Sequence, residues 1–291
     1  MKKVHFTALI LLLCSGLYAA DDVTTFHAYV DSDICARLML GPITTARIEC
    51  SQKTFKDGSN SVLVRLSDNT VFDVNKPKLV KEHVGKLVSV TGEAKAKNGT
   101  MKLQAAMPVD AGAIPPEDPG RKLLDVRTYK TQASGQLYEK IRHELAMIAY
   151  ITDFDFISFT LVDKTVILTG WTVRDTNRSD AYHRVKSIEG VGEVINNIDI
   201  LPLGQSDMAI RASARTKLQQ QLSTYFWSNG SDIKIIVKNG NIILLGSVRT
   251  KEDSDIATIQ MNSVSMAFHV FNLLRVDPGA SKPAEKEKKK G

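Results

Sequence analysis

Residue types that carry enzyme chemistry occur in this chain, but their spacing forms no catalytic or metal-binding constellation. The six histidines are scattered: His5, His27, His83, His143, His183 and His269. No two of them stand at i and i+4 with a third ligand nearby, the spacing of a helical metal site. The sequence also has no Gly-rich phosphate loop, nucleophile elbow or Ser-x-x-Lys motif. We therefore predict no catalytic residue, no metal, no cofactor and no enzymatic activity.

Asp153 and Asp155 are the nearest approach to an acid pair. They alternate with Phe154 and Phe156. An alternation of period two is typical of a strand. The pattern predicts a polar edge entering a strand rather than a general acid and base.

The first twenty residues have the layout of a secretory signal peptide. Lys2 and Lys3 precede an apolar run over residues 8–13, and the small residues Ala19 and Ala20 follow. We predict cleavage after Ala19 or Ala20, with 1–20 as the signal peptide and a periplasmic or secreted product. No later segment is long and apolar enough to cross a membrane.

The cysteines also indicate an exported protein. A lipoprotein anchored through Cys14 is the rival interpretation, but Leu13 is not the small residue that a lipobox has at that place. Cys35 and Cys50 remain after cleavage, and one pair in an exported chain predicts a disulfide. Two buried free thiols are the alternative.

The net charge of +6 belongs mainly to the two ends. Lys2 and Lys3 leave with the signal peptide. The tail at 281–291 has five lysines against two glutamates, which is +3, so the remainder carries only +1. Residues 279–291 are predicted to be a basic disordered tail, and no nucleic acid partner is expected.

A repeat fills the second half of the chain. In both copies an alternating apolar strand, a short turn and a second apolar strand ending in glycine are followed by a polar helical segment and a last strand. Gly170 and Gly246 are 76 residues apart, and so are Asn196 and Asn272. The turn in the second copy contains Asn239-Gly240, a strong hairpin signal.

A helix is predicted before each hairpin. Apolar residues recur at helical spacing in both copies: Leu137, Ile141, Leu145 and Ile148 in the first, and Ile210, Ala214, Leu218 and Leu222 in the second. Each unit is then α-β-β-α-β, in which two helices cover one face of a three-stranded sheet. We place the units at 134–203 and 205–278, after a Pro- and Gly-rich linker at 110–133.

This doubled pattern resembles the BON domain of bacterial osmotically inducible periplasmic and nodulation-linked proteins. The signature residues are Gly170, Gly190, Val191 and Asn196 in the first copy, and Gly240, Gly246 and Asn272 in the second. The second copy departs from the pattern at Met266-Ala267, where Gly-Val is expected. The resemblance implies a non-catalytic periplasmic module linked to envelope integrity and osmotic stress, with some members held to bind anionic phospholipid.

Residues 23–109 are predicted to be a β-rich domain. Hairpins are expected around Asp68-Asn69 and Asn98-Gly99, with a short helix between Pro77 and Val84. This order is similar to that of a small OB-like barrel. The overall fold class is therefore α+β, with a barrel followed by two tandem modules.

Three aromatic residues are candidate membrane or partner contacts: Trp171, Tyr225 and Trp227. Rings with a polar edge favour membrane and protein interfaces alike. A core position for at least one of them is the competing interpretation.

Two functions remain open. The first is a membrane-surface module that binds anionic phospholipid and supports envelope integrity or the stress response. The second is a protein-interaction or scaffold module, with envelope proteins as partners and no lipid binding.

Overall fold

A computed structural model describes residues 23–40, 43–95, 99–114, 135–227 and 230–278. The predicted signal peptide, Cys14, Asn98, most of the predicted linker and the basic tail lie outside these ranges.

The N-terminal domain is a closed five-stranded barrel. Its strands are β1 (Val23–Ser32), β2 (Ser61–Arg65), β3 (Val71–Val74), β4 (Leu87–Lys95) and β5 (Thr100–Pro108). They follow the order β1-β2-β3-β5-β4, with β4 closing onto β1 and only β3–β5 parallel. This arrangement fits the predicted OB-like fold.

The barrel core comes from the inward side chains at alternate positions along the strands, including Ala28, Val30, Leu63 and Phe72. The segment predicted as a short helix is two 3₁₀ turns, Pro77–Leu79 and Lys81–His83. Val80 and Val84 point from it into the same core.

Two helices that the sequence did not predict are inserted between β1 and β2. They are α1 (Asp33–Leu38) and α2 (Thr45–Lys56), and the side chains of Ser32 and Thr44 cap their N-termini. A disulfide joins Cys35 in α1 to Cys50 in α2, which confirms the predicted pair.

The helical insert covers the outer surface of the barrel. Outward side chains of β2, Val62 and Val64, are buried with Ala36 and Leu40 of the insert. In OB folds the face of strands 2 and 3 commonly binds ligands. Here that part of the face is covered by the chain's own residues.

A buried ion pair attaches α2 to the barrel. Arg47 Nη2 lies 2.8 Å from Asp31 Oδ2, and both side chains are almost inaccessible to solvent. Burial raises the pKa of the Asp31 carboxyl, and the charge of Arg47 opposes that shift. Removing one partner alone would leave an uncompensated buried charge.

The two modules confirm the predicted α-β-β-α-β order. The first consists of α3 (Gln136–Ala146), β6 (Phe156–Val162), β7 (Thr165–Thr172), α4 (Asp175–Lys186) and β8 (Glu193–Ile200). The second consists of α5 (Gln205–Gln221), β11 (Ile233–Lys238), β12 (Asn241–Val248), α6 (Lys251–Asn262), β13 (His269–Asn272) and β14 (Arg275–Val276). A short ribbon, β9 (Phe226–Trp227) and β10 (Gly230–Ser231), precedes β11.

The central strand in each module pairs antiparallel with the strand before it and parallel with the last one. The apolar helix faces predicted from the sequence lie on one side of each sheet. In the second module the last strand is interrupted, so both β13 and β14 pair with β12.

The other faces of the two sheets pack against each other and against the barrel. Trp171 of β7 lies in one cluster with Ile236, Ile243 and Phe271 of the second module and Ile34 of α1. Ile167 of β7 joins the cluster on the outer barrel surface. The three domains therefore share apolar interfaces that centre on α1 and β7.

Candidate functional site

The signature glycines at the ends of the central strands are backbone positions that no other residue fits. Gly170 has φ +114° and Gly246 has φ +106°. A Cβ at Gly170 would collide with the carbonyl oxygen of Phe156, and one at Gly246 with that of Asp232. The close neighbour of each glycine is thus the backbone of the adjacent strand and not a packed helix. Their role is structural.

The signature asparagines tie a helix to the last strand in each module. Asn196 Nδ2 donates to the carbonyl of Arg178 in α4, at 3.0 Å. Asn272 Nδ2 donates to the carbonyl of Ser254 in α6, at 2.9 Å. Each side-chain oxygen also accepts from the backbone N–H two residues later. These groups are fully used inside the module.

Trp171 and Tyr225 do not lie on the surface, so the structure contradicts them as contact candidates and bears out the alternative of a core position for at least one of the three aromatic residues. Both are 1% exposed. Trp171 lies in the shared interface of the three domains, which the sequence of one module does not reveal. The Tyr225 hydroxyl donates to Asp253 Oδ2 at 2.5 Å and accepts from Arg249 N. The backbone of Trp227 belongs to β9, but its side chain lies outside the described part of the structure.

Asp153 and Asp155, the nearest approach to an acid pair, both accept hydrogen bonds within the fold. Asp153 Oδ2 accepts from Arg215 Nε at 2.6 Å. Asp155 accepts from the backbone N–H of Thr152 and of Val173. Among the described residues no group of three or more His, Cys, Asp or Glu side chains could hold a metal ion. Nor does any described helix have the length and apolarity to span a bilayer.

The turn between α6 and β13 presents the unusual surface of the second module. Met266 is 57% exposed and Phe268 is 75% exposed. Met266 has φ +67°, a left-handed conformation that costs a non-glycine residue about 1 kcal/mol or more. The corresponding positions of the first module, 76 residues earlier, are Gly190 and Gly192. Two large apolar side chains thus stand where the first module has glycines.

One hydrogen bond at this turn occurs in both modules, but the glycine is the donor residue in the first module and the acceptor residue in the second. In the first, Gly192 N donates to the carbonyl of Lys164 at 2.8 Å. In the second, Phe268 N donates to the carbonyl of Gly240 at 2.8 Å. A Cβ at Gly240 would lie 2.6 Å from Cδ2 of the Phe268 ring. The missing side chain at Gly240 therefore makes room for the ring.

A buried carboxylate holds the turn between β11 and β12, against which the Phe268 ring packs. Asp207 of α5 accepts from Asn239 N and Gly240 N, both at 2.8 Å. The exposed ring is thus held on a well-supported turn. The departure at Met266-Ala267 is visible in the sequence, but nothing in the sequence indicates that it forms an exposed surface.

Comparison with known proteins follows the same division of the chain. The family model of the BON domain matches residues 135–202 and 211–278. The chain carries two BON domains. The barrel lies outside both matched ranges.

A relative of this chain is the outer membrane lipoprotein DolP of Haemophilus influenzae. It is 24% identical over 154 residues, which cover 52% of this chain and 80% of DolP. Two structures of CdsD, a structural protein of the type III secretion system of Chlamydia trachomatis, cover 50% of this chain and 99% and 93% of their own. Their identity to this chain is 10% and the TM-score is 0.21.

The departure from the BON signature is confined to one side of the second domain. Gly240, Gly246 and Asn272 keep their structural roles there, whereas Met266 and Phe268 replace glycines without adding to the buried core. These two side chains are the candidate site, called here the apolar turn.

Proposed function

We propose that this chain is an exported, non-catalytic envelope protein that attaches reversibly to anionic phospholipid membranes and supports envelope integrity under stress. The apolar turn of the second BON domain is the proposed membrane contact. The predicted signal peptide at 1–20 supports export. The outer membrane location named for DolP supports an envelope role.

The exposure of Phe268 and Met266 on a hydrogen-bonded turn carries the proposal. Transfer of these two exposed apolar side chains from water into a membrane is favourable. The left-handed backbone of Met266 adds a local cost in conformational energy. Full burial of a Phe or Met side chain contributes about 1.5–3 kcal/mol. Two such side chains give reversible attachment, which anionic headgroups can strengthen.

The test is co-sedimentation of the full mature chain with anionic and with neutral vesicles. We expect the wild-type protein to pellet with anionic vesicles at low salt. The double variant M266S/F268S should lose at least about tenfold in binding, because it removes two inserting side chains.

The first BON domain offers a matched control. Met147 is 56% exposed, and Tyr150 is 77% exposed with φ +62°. The variant M147S/Y150S therefore also removes one exposed methionine and one exposed ring, and one of the two replaced residues has positive φ. It should bind anionic vesicles as the wild type does. Equal losses in the two variants, or no pelleting of the wild type with either vesicle, would refute the proposal.

A protein-interaction role remains the second candidate because β6 is an edge strand. Among the strands that the structure describes, β6 pairs with β7 alone, and a groove of about 500 Å³ runs beside it. Leu145, Ile157 and Phe159 line the groove together with Lys234 from the second domain. An open strand edge can pair with an extended peptide. A photo-crosslinker at Ser158 that captures envelope proteins in cells, combined with no vesicle binding, would favour this role.

A further inference from the structure

The segment between β3 and β4 concentrates positive charge on the barrel. Residues 75–86 contain four lysines and one glutamate, a net charge of +3. Val80 and Val84 enter the barrel core, and this leaves Lys76, Lys78, Lys81 and Lys86 exposed. Leu79, 41% exposed, lies among them. This segment is called here the lysine segment.

These lysines have no ion-pair partner among the described residues. Elsewhere on the barrel, Lys53 pairs with Asp57 and Lys102 with Glu93. The lysine segment appears in none of the ion pairs within the described ranges. Its charge is therefore not compensated by contact with the rest of the fold, and it faces solvent.

The net charges of whole domains also make the barrel the more positive part of the molecule. Residues 23–114 have twelve Lys and Arg against nine Asp and Glu, a net charge of +3. The two BON domains, residues 135–278, have fifteen against sixteen, a net charge of −1. An anionic surface is thus attracted to the barrel rather than to the BON domains.

Helix α2 connects the lysine segment to the apolar turn. A Cβ at Gly85, at the end of the segment, would lie 3.0 Å from Nε2 of Gln52 in α2. Gly58, just after α2, lies against the ring of His269, the residue next to Phe268. At a rise of 1.5 Å per residue, only about 6 Å of α2 separates Gln52 from Lys56, the exposed last residue of the helix, which lies two positions before Gly58. The two features therefore lie near the same end of α2.

We propose that the lysine segment of the barrel is the electrostatic part of the membrane-binding face and binds the phosphate headgroups of anionic phospholipid. This inference rests on the proposed function and assigns the charge recognition to the barrel instead of the BON domains. Lysine is a compact point charge suited to a diffuse layer of phosphates. The segment has no Phe, Tyr or Trp on which nucleic acid bases could stack.

The test compares two triple charge reversals in the full mature chain. K76E/K78E/K81E alters the lysine segment. K140E/K164E/K217E makes the same change of net charge on the BON domains, at lysines without an ion pair in the described structure. Binding to vesicles of phosphatidylglycerol and phosphatidylcholine is measured by co-sedimentation at low and high salt. Circular dichroism confirms that both variants are folded.

Each lysine at an anionic surface contributes roughly a fivefold gain in partitioning. Loss of the three positive charges alone should therefore weaken the binding of the barrel variant at least roughly a hundredfold, and the added glutamates weaken it further, with a weaker salt dependence. The control variant should retain most of the binding. Unchanged binding of the barrel variant, or an equal loss in both variants, would overturn this inference while the wild type still binds. Failure of the wild type to bind any vesicle would instead overturn the proposed function.

Discussion

At the scale of single residues, Gly170 and Gly246 determine whether each BON domain can form its hairpin. Ala at either position would need positive φ and would place Cβ against a carbonyl oxygen. We expect G170A or G246A to lower the free energy of unfolding by about 3 kcal/mol, measured by urea denaturation.

Gly112 provides the control for this substitution. It has an ordinary backbone conformation, and a Cβ there would meet nothing within 4 Å. G112A should change the free energy of unfolding by no more than about 0.5 kcal/mol. If G170A were as stable as G112A, the structural role of the signature glycine would be wrong.

Residue identity alone predicted these glycines but not the position of Trp171. The glycine pattern repeats at a constant spacing of 76 residues, so the sequence reveals these positions, although not the strand contact that requires glycine there. The burial of Trp171 results from contacts with Ile236, Phe271 and Ile34, which belong to other domains. No local pattern encodes such a contact, and an aromatic ring after a strand glycine suits a surface equally well.

At the scale of elements, the disulfide connects the two helices that cover the barrel. Cys35 and Cys50 close a loop of 15 residues, for which about 3 kcal/mol of stabilisation is expected. α1 also carries Ile34 into the interface with both BON domains. Loss of the disulfide should therefore loosen the barrel surface and that interface together.

We expect C35S/C50S to unfold at a temperature several degrees below that of the wild type, as measured by calorimetry. Reduction of the wild-type protein should lower its unfolding temperature to that of the variant, and the variant itself should not respond to the reductant. An oxidised wild type no more stable than C35S/C50S would contradict this account of the insert.

The same insert shows where prediction from sequence reached its limit. Ser32 and Thr44 are residue types that cap helices, yet α1 is only six residues long and α2 buries polar side chains, including Arg47 and Thr54. Such helices have no clear apolar stripe, so periodicity does not reveal them. In contrast, α3 and α5 bury aliphatic residues at regular spacing and were predicted. The OB-like strand order was predicted, but the cover over its outer face was not.

At the scale of the whole molecule, the three domains bury their open sheet faces on one another. The outer face of β7 contacts the barrel at Ile167 and the second BON domain at Trp171. A three-stranded sheet alone would expose this apolar face. The surfaces left for a partner are therefore helices, strand edges and turns, and the apolar turn and the lysine segment are neighbours among them.

Hydrogen–deuterium exchange of the full mature chain, with and without anionic vesicles, tests the proposed membrane face most directly. We predict slower exchange with vesicles in residues 76–86 and 264–269, and unchanged exchange in α3 and α4, which belong to the first BON domain. Neutral vesicles should protect these segments less. Protection confined to α3, α4 or the groove beside β6, with none in the two named segments, would contradict the account.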